Sequence, residues 1–169
     1  MQISQSMEKA INLQINRELF SEYLYLSMAA WCYNESWNGF AHYFIEQAKE
    51  EHEHAMKLFD YVYERRGRVI VEAIDKPQED FASIEEVFTL ALEHEEQVTA
   101  WIHELVDLAI KENDHATRSY LNWFVDEQVE EEATADGILQ EIKKIKGHIN
   151  ALIGLDKKLG QRGLEEEED

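Results

Sequence analysis

Cysteine is nearly absent from this sequence: Cys32 stands alone. No disulfide can form within one chain, and a four-thiolate metal site from one chain is excluded. A lone cysteine, expected as a small buried apolar residue, fits a reducing compartment, so a cytoplasmic location is expected. Proline is as scarce, with Pro77 only, and seven glycines are few for 169 residues. Scarcity of both helix breakers favours long helices. Basic residues are also few, 16 Lys and Arg against 36 Asp and Glu, for a formal charge of -20. Nucleic acid is not an expected partner, because a phosphate backbone needs a basic face. Anionic membrane surfaces are disfavoured for the same reason. No apolar run approaches the roughly 20 residues that span a bilayer, and the start MQISQSMEK lacks an apolar signal core.

What is present is helical periodicity. Five segments are expected, over residues 6–34, 38–66, 83–112, 114–146 and 148–159, followed by a mobile acidic tail over 160–169. Ile11, Ile15, Tyr25 and Ala29 face inward on the first. Phe44, Ala48, Ala55, Leu58 and Val62 do so on the second, with Arg65 and Arg66 at its end and Gly67 as a left-handed stop. Ser83 and Glu86 form a capping-box pattern before the third, whose stripe is Phe88, Ala91, Val98, Ile102 and Leu105. Asn113 or Asp114 can cap the fourth, with Leu121, Phe124, Ala135 and Ile138 inward. Between the second and third segments, residues 67–82 include a β-like run, Arg68 to Val71, and Pro77. A hairpin needs no such length, so this connection is expected to carry the chain along the bundle. The fold class is all-α: one domain over 1–169, a four-helix bundle with one long crossover and a short fifth C-terminal helix.

Two spacings in the chain coincide. Glu18 precedes Glu51 by 33 residues and His54 by 36; Glu95 precedes Gln128 by 33 and Glu131 by 36. Each half supplies a lone carboxylate and then two ligand-type residues one helical turn apart. A helical hairpin used twice about a pseudo-two-fold axis brings both sets to one point. Each acid sits within its helix's apolar stripe, as Glu51 does between Phe44, Ala48, Ala55 and Leu58. An ionised carboxylate there costs several kcal/mol unless paired or bound to metal. No Lys or Arg occupies these stripes, whereas two divalent cations would cancel four carboxylates. The competing reading puts the acids on solvated faces; a single E-x-x-H pair would not exclude it, but the repeated arrangement argues against it.

Hard oxygen donors with one imidazole suit a pair of iron-like ions. Glu18 and His54 would hold one ion, Glu51 would bridge, and Glu95 and Glu131 would hold the second more loosely. Gln128 would be a weak ligand or an orienting group. Between two iron(II) ions, dioxygen is the natural small reactant. Tyr25, two turns from Glu18, can hydrogen-bond a ligand carboxylate, donate an electron, or simply pack in the core. Trp123 is a redox partner or, more simply, a packing residue. Glu50, Glu127 and Glu130 form an outer acidic layer that, with Glu131, could take a third ion or could be a solvated face. His42, His52, His94, His103, His115 and His148 are expected at the surface or in supporting positions.

The stretches NRELFSEYLYLSMAAW, AKEEHEHAMKLFDYV, LEHEEQVT, LNWFVDEQVEEEA and LDKKLGQR resemble the haem-free bacterial and archaeal ferritins over almost the whole chain. The resemblance implies a ferritin-like bundle whose di-iron ferroxidase ligands match Glu18, Glu51, His54, Glu95 and Glu131, with Gln128 beside them. It matches the third iron site to Glu50, Glu127 and Glu130. It further implies a shell of 24 subunits that oxidises iron(II) with dioxygen and stores iron(III) mineral. Bacterioferritins carry a second histidine where this chain has Glu131, and ligate haem through a methionine where it has His52, so no haem is expected. Two other readings stay open: a non-storage di-iron peroxidase or oxygenase, and a non-catalytic buffer of divalent cations.

Overall fold

The computed structural model describes residues 1–162, and its regular elements there are all helices: α1 (Gln5–Asn34), α2 (Asn38–Glu64), α3 (Ile84–Lys111), α4 (His115–Ile145) and α5 (Ile149–Leu159). Among the described residues no strand forms, and no helix is long and apolar enough to cross a membrane.

The buried apolar residues fall into two clusters. One holds Met28, Phe40, Phe44, Phe88, Leu139 and Leu155; the other holds Met7, Ile11, Leu58, Ile102, Leu121 and Phe124. α1 and α4 run from the second cluster to the first, and α2 and α3 run the opposite way. Adjacent helices in each hairpin are thus antiparallel, while α2 and α3 are parallel. The chain leaving α2 at one end must therefore reach the other end before α3 begins, which explains the long connection. Short polar side chains of α1 pin it along the way. Asn12 donates to Arg68 O (2.9 Å) and accepts from Ile70 N (2.8 Å). Asn16 donates to Ala73 O (3.0 Å), and Ser27 donates to Gln78 O (2.6 Å). The β-like run Arg68–Val71 is not a strand, because α1 offers these backbone groups side chains rather than a ladder.

The helix ends follow local chemistry. Ser4, Ser83 and Asp114 accept from the backbone N–H groups of Met7, Glu86 and Thr117. The Glu86 carboxylate accepts from Ala82 N, one residue before the cap, so the capping box is offset by one. Trp37 gives α2 no side-chain cap; instead Asp156, from α5, accepts from Phe40 N at 2.8 Å. Gly39 permits that docking, since a Cβ there would lie 1.6 Å from Asp156 O. The expected left-handed stop at Gly67 lies one residue earlier, at Arg66 (φ 57°). Gly67 is small for a different reason: a Cβ would meet the side chains of Glu8, Ile3 and Val62 at 2.8–2.9 Å. Residues 160–162, the first of the expected mobile tail, are held by hydrogen bonds. The chain turns after Leu159, and the Arg162 carbonyl is 2.7 Å from His42 Nε2. The rest of the expected acidic tail, residues 163–169, lies outside the described residues.

Candidate metal centre

Between the two apolar clusters lies a belt of buried polar side chains. Glu18 comes from α1, Glu51 and His54 from α2, Glu95 from α3, and Gln128 and Glu131 from α4, and each is at most 7% exposed. Near their midpoints the four helices present acids instead of aliphatics. The 33- and 36-residue spacings thus converge in space.

The arrangement is tightest around His54. Glu18, Glu51 and His54 each offer a ligand atom within 4.8 Å of the others, and so do His54, Glu127 and Glu131. His54 Nδ1 lies 3.8 Å from Glu51 Oε2, too far for a hydrogen bond. Among the described residues no lysine or arginine forms an ion pair with Glu18, Glu51, Glu95 or Glu131. Neutral donors serve instead. Gln14 Nε2 donates to Glu18 Oε1 (2.7 Å) and Gln47 Nε2 to Glu131 Oε2 (2.9 Å). Tyr25 donates to Glu95 Oε1, and Gln128 Nε2 donates to Glu95 Oε2 (3.1 Å). One oxygen of Glu18 and one of Glu51, Oε2 in each case, are buried without any hydrogen-bond partner.

The electrostatics follow. Burial pushes the Glu18 carboxyl above its usual range, against the pull of His54 and Gln14. Burial, reinforced by the charges of Glu95, Glu18 and Glu131, pushes Glu51 well above it. Glu95 and Glu131 are each raised to about 7, chiefly by burial. A hydrogen bond to a charged group contributes about 1.5–3 kcal/mol, whereas burying a carboxylate costs several. The neutral donors therefore do not offset the burial of four acids. A proton or a metal cation on the unpartnered oxygens does, and the mixed oxygen and nitrogen donor set fits iron.

Residues 8–145 match the family model for the ferritin-like domain. The chain belongs to the ferritin family. It is 41% identical over 165 residues to a bacterial non-heme ferritin of Staphylococcus aureus, covering 98% of this chain and 99% of the relative. The non-heme ferritin of Staphylococcus epidermidis shows the same identity and coverage. Among solved structures, an open pore ferritin from the hyperthermophilic archaeon Archaeoglobus fulgidus superposes with a TM-score of 0.94 at 46% identity, over 95% of this chain and 99% of that one. An engineered closed form of the same archaeal ferritin superposes equally well.

Not every residue singled out in this ferritin lies in the belt. Glu127 is half-buried beside Glu131, whereas Glu130 is exposed. Glu50 faces Arg162, whose Nη2 lies 3.0 and 2.7 Å from its two oxygens. Trp123 is 40% exposed, with its ring edge-on to His54 at 5.4 Å and Lys57 over its face at 4.6 Å. His52, His103, His115 and His148 are exposed and His42 is half-buried. His94 is packed between Phe20, Tyr25 and Trp101 and shares a 2.7 Å hydrogen bond with Ser21; burial lowers its pKa to about 4, so it is neutral. Cys32 is fully buried. Sequence reasoning missed Gln14, Gln47 and Arg162. Gln14 precedes Glu18 by four residues, as Gln47 precedes Glu51, a spacing that places each pair on one helix face.

Proposed function

We propose that this ferritin oxidises iron(II) with dioxygen at the buried belt and stores the product as iron(III) mineral inside a closed homo-oligomer of 24 subunits. The observation that carries the reading is the convergence of Glu18, Glu51 and His54 with two buried carboxylate oxygens left unpartnered. Family membership supports iron storage; the chemistry of the donor set supports the oxidation step.

In this reading iron(II) is the substrate. Glu18 and His54 hold one ion, Glu51 offers an oxygen to each of two ions, and Glu95 and Glu131 hold the second. The two positions differ in readiness. Glu18 and Glu51 each have a buried oxygen with no hydrogen-bond partner. Both oxygens of Glu95 already accept hydrogen bonds, from Tyr25 and Gln128, and Glu131 accepts one from Gln47. The second ion must share these oxygens with their donors, so it is held more weakly and leaves more readily, as a store requires. Gln128 acts as an orienting group for Glu95. Tyr25 holds Glu95 in place and sits beside the reacting ions. Each ion also displaces the protons that burial keeps on these carboxyls, so loading the site releases acid. Two adjacent iron(II) ions supply electrons to dioxygen. The outer acids Glu127 and Glu130, with Glu50, would form a third, weaker position.

Truncation of the shared ligand tests the reading. The substitution Glu51→Ala should slow iron(II) oxidation in air at least about a hundredfold, within the range lost with a group that acts on the reacting centre, while light scattering reports an unchanged particle. Oxidation at the wild-type rate in that variant would refute the assignment. Iron(II) binding without oxygen uptake by the wild-type protein would leave cation buffering as the function.

A further inference from the structure

The C-terminal turn delivers a guanidinium to the outer edge of the site, and nothing in the proposed oxidation uses it. Arg162 Nη2 forks onto both oxygens of Glu50, at 3.0 and 2.7 Å. Its Nη1 donates to Gln47 Oε1, and its Cζ stands 4.7 Å from the centre of the Tyr43 ring. The Arg162 backbone carbonyl is held by His42. Gln47 is itself 2% exposed, and its Nε2 donates to Glu131 Oε2 at 2.9 Å. The polarity of this chain of contacts is fixed at one end. A guanidinium can only donate, so Gln47 must turn its carbonyl outward to Arg162 and its N–H₂ inward to Glu131.

The geometry points to Arg162 as a positioning residue: a tethered organic cation that occupies Glu50, keeps a third metal ion from that carboxylate, and orients Gln47 toward Glu131. This inference rests on the reading that the belt binds metal. It adds that the third position is closed by default, and that an ion takes Glu50 only by displacing the C-terminal arm. A planar fork matching a carboxylate on one side and an amide on the other explains why arginine stands there; lysine would neutralise Glu50 without aligning Gln47.

Zinc(II), which cannot be oxidised, is the probe. Calorimetric titration of the metal-free 169-residue protein at neutral pH is compared for wild type, Arg162→Gln, Arg162→Lys, Arg162→Gln with Glu50→Gln, and Glu51→Ala. In Arg162→Gln a weaker, later binding event should tighten at least about fivefold, the equivalent of one exposed ion pair at the upper end of its usual strength. Arg162→Lys should suppress that event as wild type does, and adding Glu50→Gln should abolish it. Thermal melting establishes that each variant folds, and because lysine preserves the charge, its suppression of the late event separates the effect on Glu50 from a loss of packing. An Arg162→Gln isotherm superimposable on wild type, with Glu51→Ala still losing the tight events, overturns the role of Arg162 alone. Absence of tight zinc binding in wild type overturns both this inference and the metal-site reading.

Discussion

Glu51 is the central residue of the proposed chemistry. It lies in the middle of an apolar stripe, and its burial is tolerated at neutral pH only with a proton or a cation beside it. The sign of its pH dependence follows. In the metal-free fold Glu95 and Glu131 are raised to about 7, while in the unfolded chain they titrate in the ordinary carboxylate range. The native state thus binds more protons than the unfolded state between pH 4.5 and 7. Their contribution to stability is complete below about pH 4.5, is lost as pH rises to about 7, and changes little above it. Denaturant melts of metal-free protein should therefore show falling stability across that window; a rise from pH 5 to 7 would contradict the burial argument. Metal affinity should move the opposite way. Protonated Glu95 and Glu131 cannot ligate, so the second ion should weaken as pH falls below 7, measurable by zinc titration at pH 6 and pH 8. The proposed ligands were legible in the sequence because the repeat pairs Glu18 with Glu95, Glu51 with Gln128 and His54 with Glu131. Gln14 and Gln47 were not, and the reason is physical. Their counterparts in the repeat are Ala91 and Phe124, so the repeat carries no signal for them, and their roles depend on contacts that only the folded belt creates.

At the scale of single elements, the helices were readable to within two residues at each end, because apolar periodicity and caps agree. What was less legible is how elements meet. The α2 start lacks a side-chain cap of its own and takes one from Asp156, 116 residues away, which no local pattern could reveal. The same distance in sequence hides why position 39 is glycine. The substitution Gly39→Ala should push α5 off α2 and lower the melting temperature by roughly 2–10 °C, taking about 1–3 kcal/mol for an overpacked contact in a chain of this size. An unchanged melting temperature would show that α5 does not hold this position. The crossover offers an independent check. Asn12→Ala removes one donor and one acceptor from residues 68–70 and should cost about 1–2 kcal/mol. It should also speed amide exchange at Ile70, while amides of the α3 core keep their protection. The β-like character of 68–71 misleads for a simple reason: extended backbone facing a helix reads the same as a strand until its hydrogen-bond partners are known.

For the whole molecule, the formal charge of -20 is carried by a chain whose interior also holds acids. Self-repulsion on that scale disfavours compaction and draws cations toward the surface. The 24-subunit assembly would give those cations an enclosed destination. Light scattering should report a particle near half a megadalton from this 19.9 kDa chain; a monomer or dimer as the largest species would remove storage and leave a small di-iron enzyme as the better reading. The bundle, its long crossover and the parallel course of α2 and α3 all bring four acids to one level. That level divides the apolar core in two, an arrangement that weakens the metal-free fold and that bound cations would repair.

Thermal melting of wild type and Glu51→Gln, each with and without zinc, measures that trade. Glutamine keeps the shape and removes the burden of protonating or burying a charge. At pH 7.5 the metal-free variant should therefore melt above metal-free wild type, and this advantage should vanish near pH 4.5. With zinc the order should reverse, because only wild type offers the carboxylate proposed to bridge. If metal-free Glu51→Gln melts below wild type, or if zinc raises both alike, then the buried acids are not held in place for the sake of a cation.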